Sequence, residues 1–207
     1  MMKKKPISLK NNTARPFKAG LLISVSFFAI VLLTSCFGVT ADISLNANGS
    51  GTIMLEYRVS QVMDALGRLD GNERWNTIPV GRADFERTVD RLPDMRLLSF
   101  SSRTDARDII VSARMEFTSI QGLLAFLDAS GRSSSFTGDA GSGRLVFTLS
   151  EGVPDLSAEL LELLAVISDG YSVNMNMSFP GGRRVSHSFP LYTVLSSDTE
   201  MNIEFNW

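Results

Sequence analysis

Few residues in this chain have the types and spacing that catalysis needs. The single histidine, His187, stands between Ser186 and Ser188, and serine with histidine suggests a hydrolytic triad. A triad, however, needs the base beside the nucleophile in space and an acid orienting the base. Neighbours on an extended segment point to opposite faces, so His187 reads as an exposed or edge-strand histidine. Glu159 and Glu162 share a helix face at one-turn spacing, with Asp155 four residues before Glu159. Paired carboxylates can act as acid and base, yet opposite a leucine stripe they read as a solvated face. One histidine and one cysteine leave only scattered carboxylates for a metal. The glycine-rich run from Gly138 to Gly143 lacks the Lys-Ser/Thr and helix start of a phosphate cradle. Met175 and Met177 share one strand face and read as core rather than as a cofactor box. The expectation is a protein that is not an enzyme, with no catalytic residues, no metal and no dissociable cofactor.

The one position with a definite chemical reading is Cys36, the only cysteine. Upstream of it, Lys3, Lys4, Lys5, Lys10, Arg15 and Lys18 occur with no acid, and Leu21 to Leu33 runs without a charge. That is the charged and then apolar build of a secretion signal. The apolar run is shorter than the roughly 20 residues that cross a hydrocarbon core. An ordinary secretory signal with a stray cysteine and an uncleaved span are the alternatives, but a lone thiol in an exported chain is unusual, because exported cysteines normally pair. The sequence Leu33-Thr34-Ser35-Cys36 resembles a bacterial lipobox. That resemblance implies cleavage between Ser35 and Cys36, diacylglycerol on the Cys36 thiol and acylation of the new amine. Two or three acyl chains hold a protein on a membrane where a single chain is marginal.

Removing 35 of the 207 residues leaves 172, enough for one well-buried domain. The organisation expected is a signal peptide over 1–35, a short lipidated tether over 36–40 and a single domain over 41–207. All the lysines fall in the first segment. The remainder carries 14 arginines against 22 acids, a formal charge of −8. This sign argues against nucleic acid as a partner and against electrostatic docking on anionic lipid.

Apolar and polar residues alternate over Thr40 to Ala47 and again from Ile53 to Val59, across an Asn48-Gly49-Ser50-Gly51 hairpin signal. Ser60 suits the cap of a helix carrying Val62, Leu66 and Leu69, and a shorter helix with Phe85, Val89 and Leu92 stops at Pro93. Strands follow around Leu98 and Phe100 and from Ile109 to Phe117, with a turn at Asp105-Ala106-Arg107. Thr118-Ser119-Ile120-Gln121 matches a capping box ahead of Ile120, Leu123, Leu124 and Leu127. The Ser/Gly-rich segment from Ser130 to Gly143 reads as a hairpin loop with a short strand near Ser134 to Phe136. A strand with Leu145, Phe147 and Leu149 precedes the strongest helix, in which Leu156, Leu160, Leu163, Leu164 and Ile167 form one face. Strands from Tyr171 to Phe179 and from Met201 to Trp207 flank a return through Val185 and a loop at Phe189-Pro190. The order strand-strand-helix recurs three times. The fold class expected is α+β: an antiparallel sheet of hairpins with amphipathic helices packed mainly on one face.

Asn48-Gly49-Ser50-Gly51 joining two strands just after the cysteine, Met177-Ser178-Phe179-Pro180-Gly181 ending another, and a strand closing on Trp207 together resemble the LppM-type bacterial lipoproteins. The chain departs from that pattern in stopping at Trp207 and in its Ser-rich middle loop. The resemblance implies an envelope domain with nothing catalytic to transfer. For contacts, Trp75 in a polar loop suits a partner anchor, and Arg183-Arg184 suits a lipid headgroup or an acidic partner; folding onto the core and a solvated turn are the plainer readings. With so short a tether, at roughly 3.5 Å per extended residue, the domain would sit within about 10 to 20 Å of the bilayer. The function expected is that of a membrane-anchored lipoprotein on the extracytoplasmic side of a bacterial envelope, working through contacts with envelope proteins. The alternative is a binder or sensor of an apolar, lipid-like ligand held between sheet and helices.

Overall fold

The alternation read from the sequence becomes the two faces of a sheet. In β1 (Phe37–Leu45) and β2 (Gly51–Ser60), Ala41, Ile43, Leu45, Ile53, Tyr57 and Val59 are buried on one side, while Asp42, Ser44, Thr52 and Met54 take the other. The computed structural model describes residues 37–61, 80–128, 133–139, 141–152 and 156–207. Gly49 turns the first hairpin with φ +83°, and the Asn48 side chain accepts from the Ser50 amide at 3.1 Å. The helix expected after Ser60 falls outside the described residues.

The fold is mixed α+β, mostly antiparallel, with four short helices among the described residues. β3 (Met95–Thr104) and β4 (Asp108–Phe117) extend the first pair, and β7 (Ser172–Ser178) and β8 (Arg184–Pro190) complete a six-stranded sheet in the order β3-β4-β2-β1-β7-β8. Its neighbours are antiparallel with one exception. β1 and β7 run parallel, Val39 opposite Val173 through Ser44 opposite Ser178. β5 (Ser134–Gly138), β6 (Gly143–Ser150) and β9 (Met201–Asn206) form a second, antiparallel sheet. Leu145, Phe147, Ile203 and Phe205 of this sheet share one hydrophobic cluster with Ile43, Ile53, Met115 and Met177 of the first. The single antiparallel sheet expected is thus two sheets joined through a core, one of them containing a parallel pair.

Of the helices, α1 (Arg82–Val89) buries Phe85 and Val89, and the Phe85 ring lies 5.7 Å from Phe100 and 6.2 Å from Phe126. α2 (Ile120–Leu127) buries Ile120 and Leu123. Its cap is Ser119, whose hydroxyl accepts from the Gly122 amide at 3.0 Å; Thr118 instead donates to Asp94, as does Ser119. The cap is therefore Ser119 rather than Thr118, and no reciprocal box forms, because the residue three positions on from Ser119 is Gly122. α3 (Ala158–Ile167) is capped by Ser157. Phe189 and Pro190, read as a loop, are instead the end of β8, and α4 (Leu191–Ser196) follows directly, with Leu191 and Val194 buried. Pro190 ends β8 and sits at the N-cap of α4, a position that asks for no amide proton.

Candidate functional site

β1 begins at Phe37, opposite Val59, one residue after Cys36. Residues 37–40, read as tether, already belong to the ladder. Ser35, Cys36 and Trp75 themselves lie outside the described residues. The end of the sheet where the chain enters is therefore the place to which a modified Cys36 would be attached.

That end is assembled by the parallel pair. The register of β1 with β7 sets the start of β7 beside the start of β1. An ideal Cβ on Gly38 would stand 3.4 Å from the Ser172 amide and 3.5 Å from the Tyr171 ring, so Tyr171 packs over a strand position without a side chain. Its hydroxyl donates to the buried Asp108 carboxylate at 2.7 Å. Beside it, the Asp105 carboxylate accepts from the amides of Arg107 and Asp108, both at 2.8 Å. These two amide bonds, Arg107 first, hold the Asp105 carboxyl below its ordinary range. A shallow cleft of about 380 Å³ opens here between Arg58, Asp105, Arg107, Asp108, Asp169 and Tyr171. It mixes charges of both signs, and Asp105 is displaced in the direction opposite to what a general acid requires.

α3 and α4 stand at the same end. Ser168 follows α3, the Tyr171 amide donates to the Ser168 carbonyl at 3.1 Å, and the Leu191 amide that opens α4 donates to the Tyr171 carbonyl at 2.9 Å. The leucine face expected on α3 is only partly covered. Leu164 is fully buried, but Leu163 is 43% and Val166 70% exposed, with Tyr192 of α4 at 37%. The sequence contained the signal for this. Leu160, Leu161, Leu163, Leu164, Val166 and Ile167 exceed what one helical stripe can present to a core. Glu159, in the first turn of α3, has its carboxyl lowered by its own backbone amide and by Ser157, and Glu162 is exposed one turn on. Asp155 falls outside the described residues.

The other sequence candidates separate. His187 pairs with Met175 and so shares the inner face of edge strand β8, half-buried, with Nε2 3.2 Å from the Glu204 carbonyl and its ring edge-on to Phe205 at 5.1 Å. Ser186 and Ser188 occupy the opposite face, so the three form no triad. Arg183 lies 6.0 Å from the Phe179 ring centroid, and Arg184 pairs with Asp42 at 3.1 Å. Both belong to the β7–β8 turn region, at the far end of β1 from Phe37. Seven strand residues at about 3.3 Å each separate Ser44, level with Ser178 and Arg184, from Phe37. The glycine-rich run is the β5–β6 turn, where Asp139 accepts from the amides of Gly141 and Ser142. Among the described residues, no three His, Cys, Asp or Glu side chains come together as metal ligands.

The outer face of the first sheet carries polar rungs. Asn174 donates to Thr40 and Ser172 and accepts from Ser188, and Asn176 donates to Asp42. A second cleft of about 380 Å³ lies there, between Asp42, Thr52, Met54, Arg114, Ser178 and Arg184. Compared with known proteins, the chain matches no protein-family model, no curated protein and no solved structure.

Proposed function

We propose that this chain is a lipid-anchored lipoprotein on the extracytoplasmic side of a bacterial envelope, without enzymatic activity, working through protein contacts close to the membrane. Carrying this reading is the start of β1 one residue after Cys36. A diacylglycerol on that thiol would leave no spacer between lipid and domain, so any partner is met beside the bilayer. The polar outer face, with its fixed amide and hydroxyl rungs, is the surface such a partner would read. The likeness to LppM-type lipoproteins belongs to the same proposal, as does a scaffold of hairpins whose helices lie mainly over one sheet face.

The test is the mass of the N-terminal peptide from membrane-extracted protein, beside a Cys36→Ser variant, followed by crosslinking in intact membranes. A diacyl or triacyl mass starting at Cys36 and absent from the variant supports the reading. An intact Met1 or a mature start at another residue refutes it. An extracted apolar ligand that copurifies stoichiometrically, with no crosslinked protein, would favour the ligand-binding alternative instead.

A further inference from the structure

α3 is apolar beyond what its packing uses. Its exposed large apolar side chains are Leu163 and Val166, and Tyr192 of the adjoining α4 is also exposed. The acids of α3, Glu159 and Glu162, stand in its first half, and Leu163 to Ser168 carries no charge before the exposed Asp169. The uncharged half is the one that leads into Tyr171 and Ser172, beside Gly38. From Ser172 back to Val166 is six residues, a span of at most about 20 Å. The most exposed large apolar side chain among the described residues thus lies within reach of the point where Cys36 joins the domain.

We propose that Leu163, Val166 and Tyr192 seat in the interfacial layer of the same bilayer that holds the Cys36 anchor, so that the domain rests on the lipid in one orientation. This rests on the lipoprotein reading above. Acyl chains alone tether a domain without orienting it; a second, apolar contact at a different point removes the swing. Amphipathic helices at membranes bury their apolar face about 5–10 Å into the headgroup and acyl boundary; Val166 would enter that layer, while the exposed Glu162 and Asp169, one turn to either side of it, would stay at headgroup level. Charge plays little part. Arg58 and Arg107 at this end stand among Asp105, Asp108 and Asp169, and the chain beyond residue 35 is acidic, so the contact should form on neutral lipid. The same seating turns Arg183 and Arg184 away from the membrane, toward partners rather than headgroups.

The test uses the full chain, processed in bacterial membranes and reconstituted into phosphatidylcholine vesicles. Acylation of Cys36 leaves an introduced thiol as the sole free one, so Val166→Cys and, at the far end, Arg183→Cys are each labelled with an environment-sensitive fluorophore. The peptide mass at Cys36 is read on the same samples. With Cys36 acylated, the label at 166 should be quenched at least about twofold more by shallow lipid-borne quenchers than the label at 183, and be shielded from aqueous iodide. Equal iodide access at both positions overturns the seating while leaving the lipoprotein reading intact. Shielding at 166 from both quenchers, or shielding that grows with protein density in the vesicle, also overturns it, by assigning the patch to a protein surface. Absence of any acyl mass refutes the lipoprotein reading and the seating with it.

Discussion

The phenol of Tyr171 donates to the carboxylate of Asp108 at 2.7 Å, across 63 positions of sequence. It ties the loop ahead of β7 to the first residue of β4, over the ends of the two strands between them. Both residues are buried. Removing one partner of a buried hydrogen bond leaves the other short of a donor, at a cost of about 1–3 kcal/mol. Tyr171→Phe should therefore lower the unfolding free energy by that amount, read as a lower denaturant midpoint with an unchanged slope. Tyr192→Phe, on an exposed ring, should leave the midpoint where it was.

Gly51 stands where β2 leaves the first turn, and a Cβ there would lie 2.0 Å from the Ser44 carbonyl oxygen and 2.4 Å from Phe117 Cζ. Phe117 is fully buried, so neither neighbour can yield cheaply. Gly51→Ala should destabilise by about 2 kcal/mol or more. Gly181→Ala provides the contrast. Its φ of +84° is unfavourable for alanine but the space is open, so the loss should be only about 1–2 kcal/mol. Equal losses at the two sites would mean that the carbonyl and ring contacts at Gly51 are relieved by local adjustment.

The second sheet carries an acid-sensitive pair. Glu204 accepts from Arg144 at 2.8 and 2.7 Å and from Asn206 at 2.7 Å. The Arg144 bonds first, and Asn206 next, pull its carboxyl from 4.5 to about 2. A carboxyl lowered in the folded state stabilises above its unfolded value, and that stability is lost as pH falls from about 4.5 toward 2. Glu204→Gln should lower the melting temperature slightly at neutral pH and flatten the decline through this acid window. Because the pair is exposed, high salt should shrink the difference. An unchanged acid limb in Glu204→Gln would show that the pair contributes nothing measurable.

Two neighbouring positions on α3 should respond oppositely. Leu164 is fully buried and Val166 is largely exposed. Leu164→Ala should cost about 2–5 kcal/mol, whereas Val166→Ser should stay within about 0.5 kcal/mol. A large loss at Val166 would mean that the side chain is covered in the folded protein, and membrane seating would lose its basis.

The Asp94 carboxylate accepts from the hydroxyls of Thr118 at 3.0 Å and Ser119 at 2.6 Å, while Ser119 also caps α2. The Ser119 bond, and then that of Thr118, lower the Asp94 carboxyl. Ser119→Ala should cost about 1 kcal/mol, more than Thr118→Ala, which removes no helix cap. The reverse order would return the cap to Thr118, where the sequence pattern put it.

Local rules made the strands and most helix starts legible. The inward rows Ala41-Ile43-Leu45 and Ile53-Leu55-Tyr57-Val59, the Asn48-Gly49 turn and the helices carrying Phe85 and Leu123 depend on side chains two to four positions apart, and such spacing is written in the chain. So were the edge strand that carries His187 and the turn at Gly138. The lipobox reading of Cys36 is likewise local, though the residue lies outside what the structure describes.

What only the tertiary structure decided depends on pairing between distant segments. Nothing in the residues around Val39 or Val173 announces that they face each other in parallel, since a strand's alternation specifies its faces and not its neighbour. That pairing placed Tyr171 against Asp108, brought the uncharged half of α3 to the entry end of β1, and sent Arg183 and Arg184 to the other. A leucine-rich helix states how much apolar surface it has; which part stays uncovered is determined by the elements that fold against it.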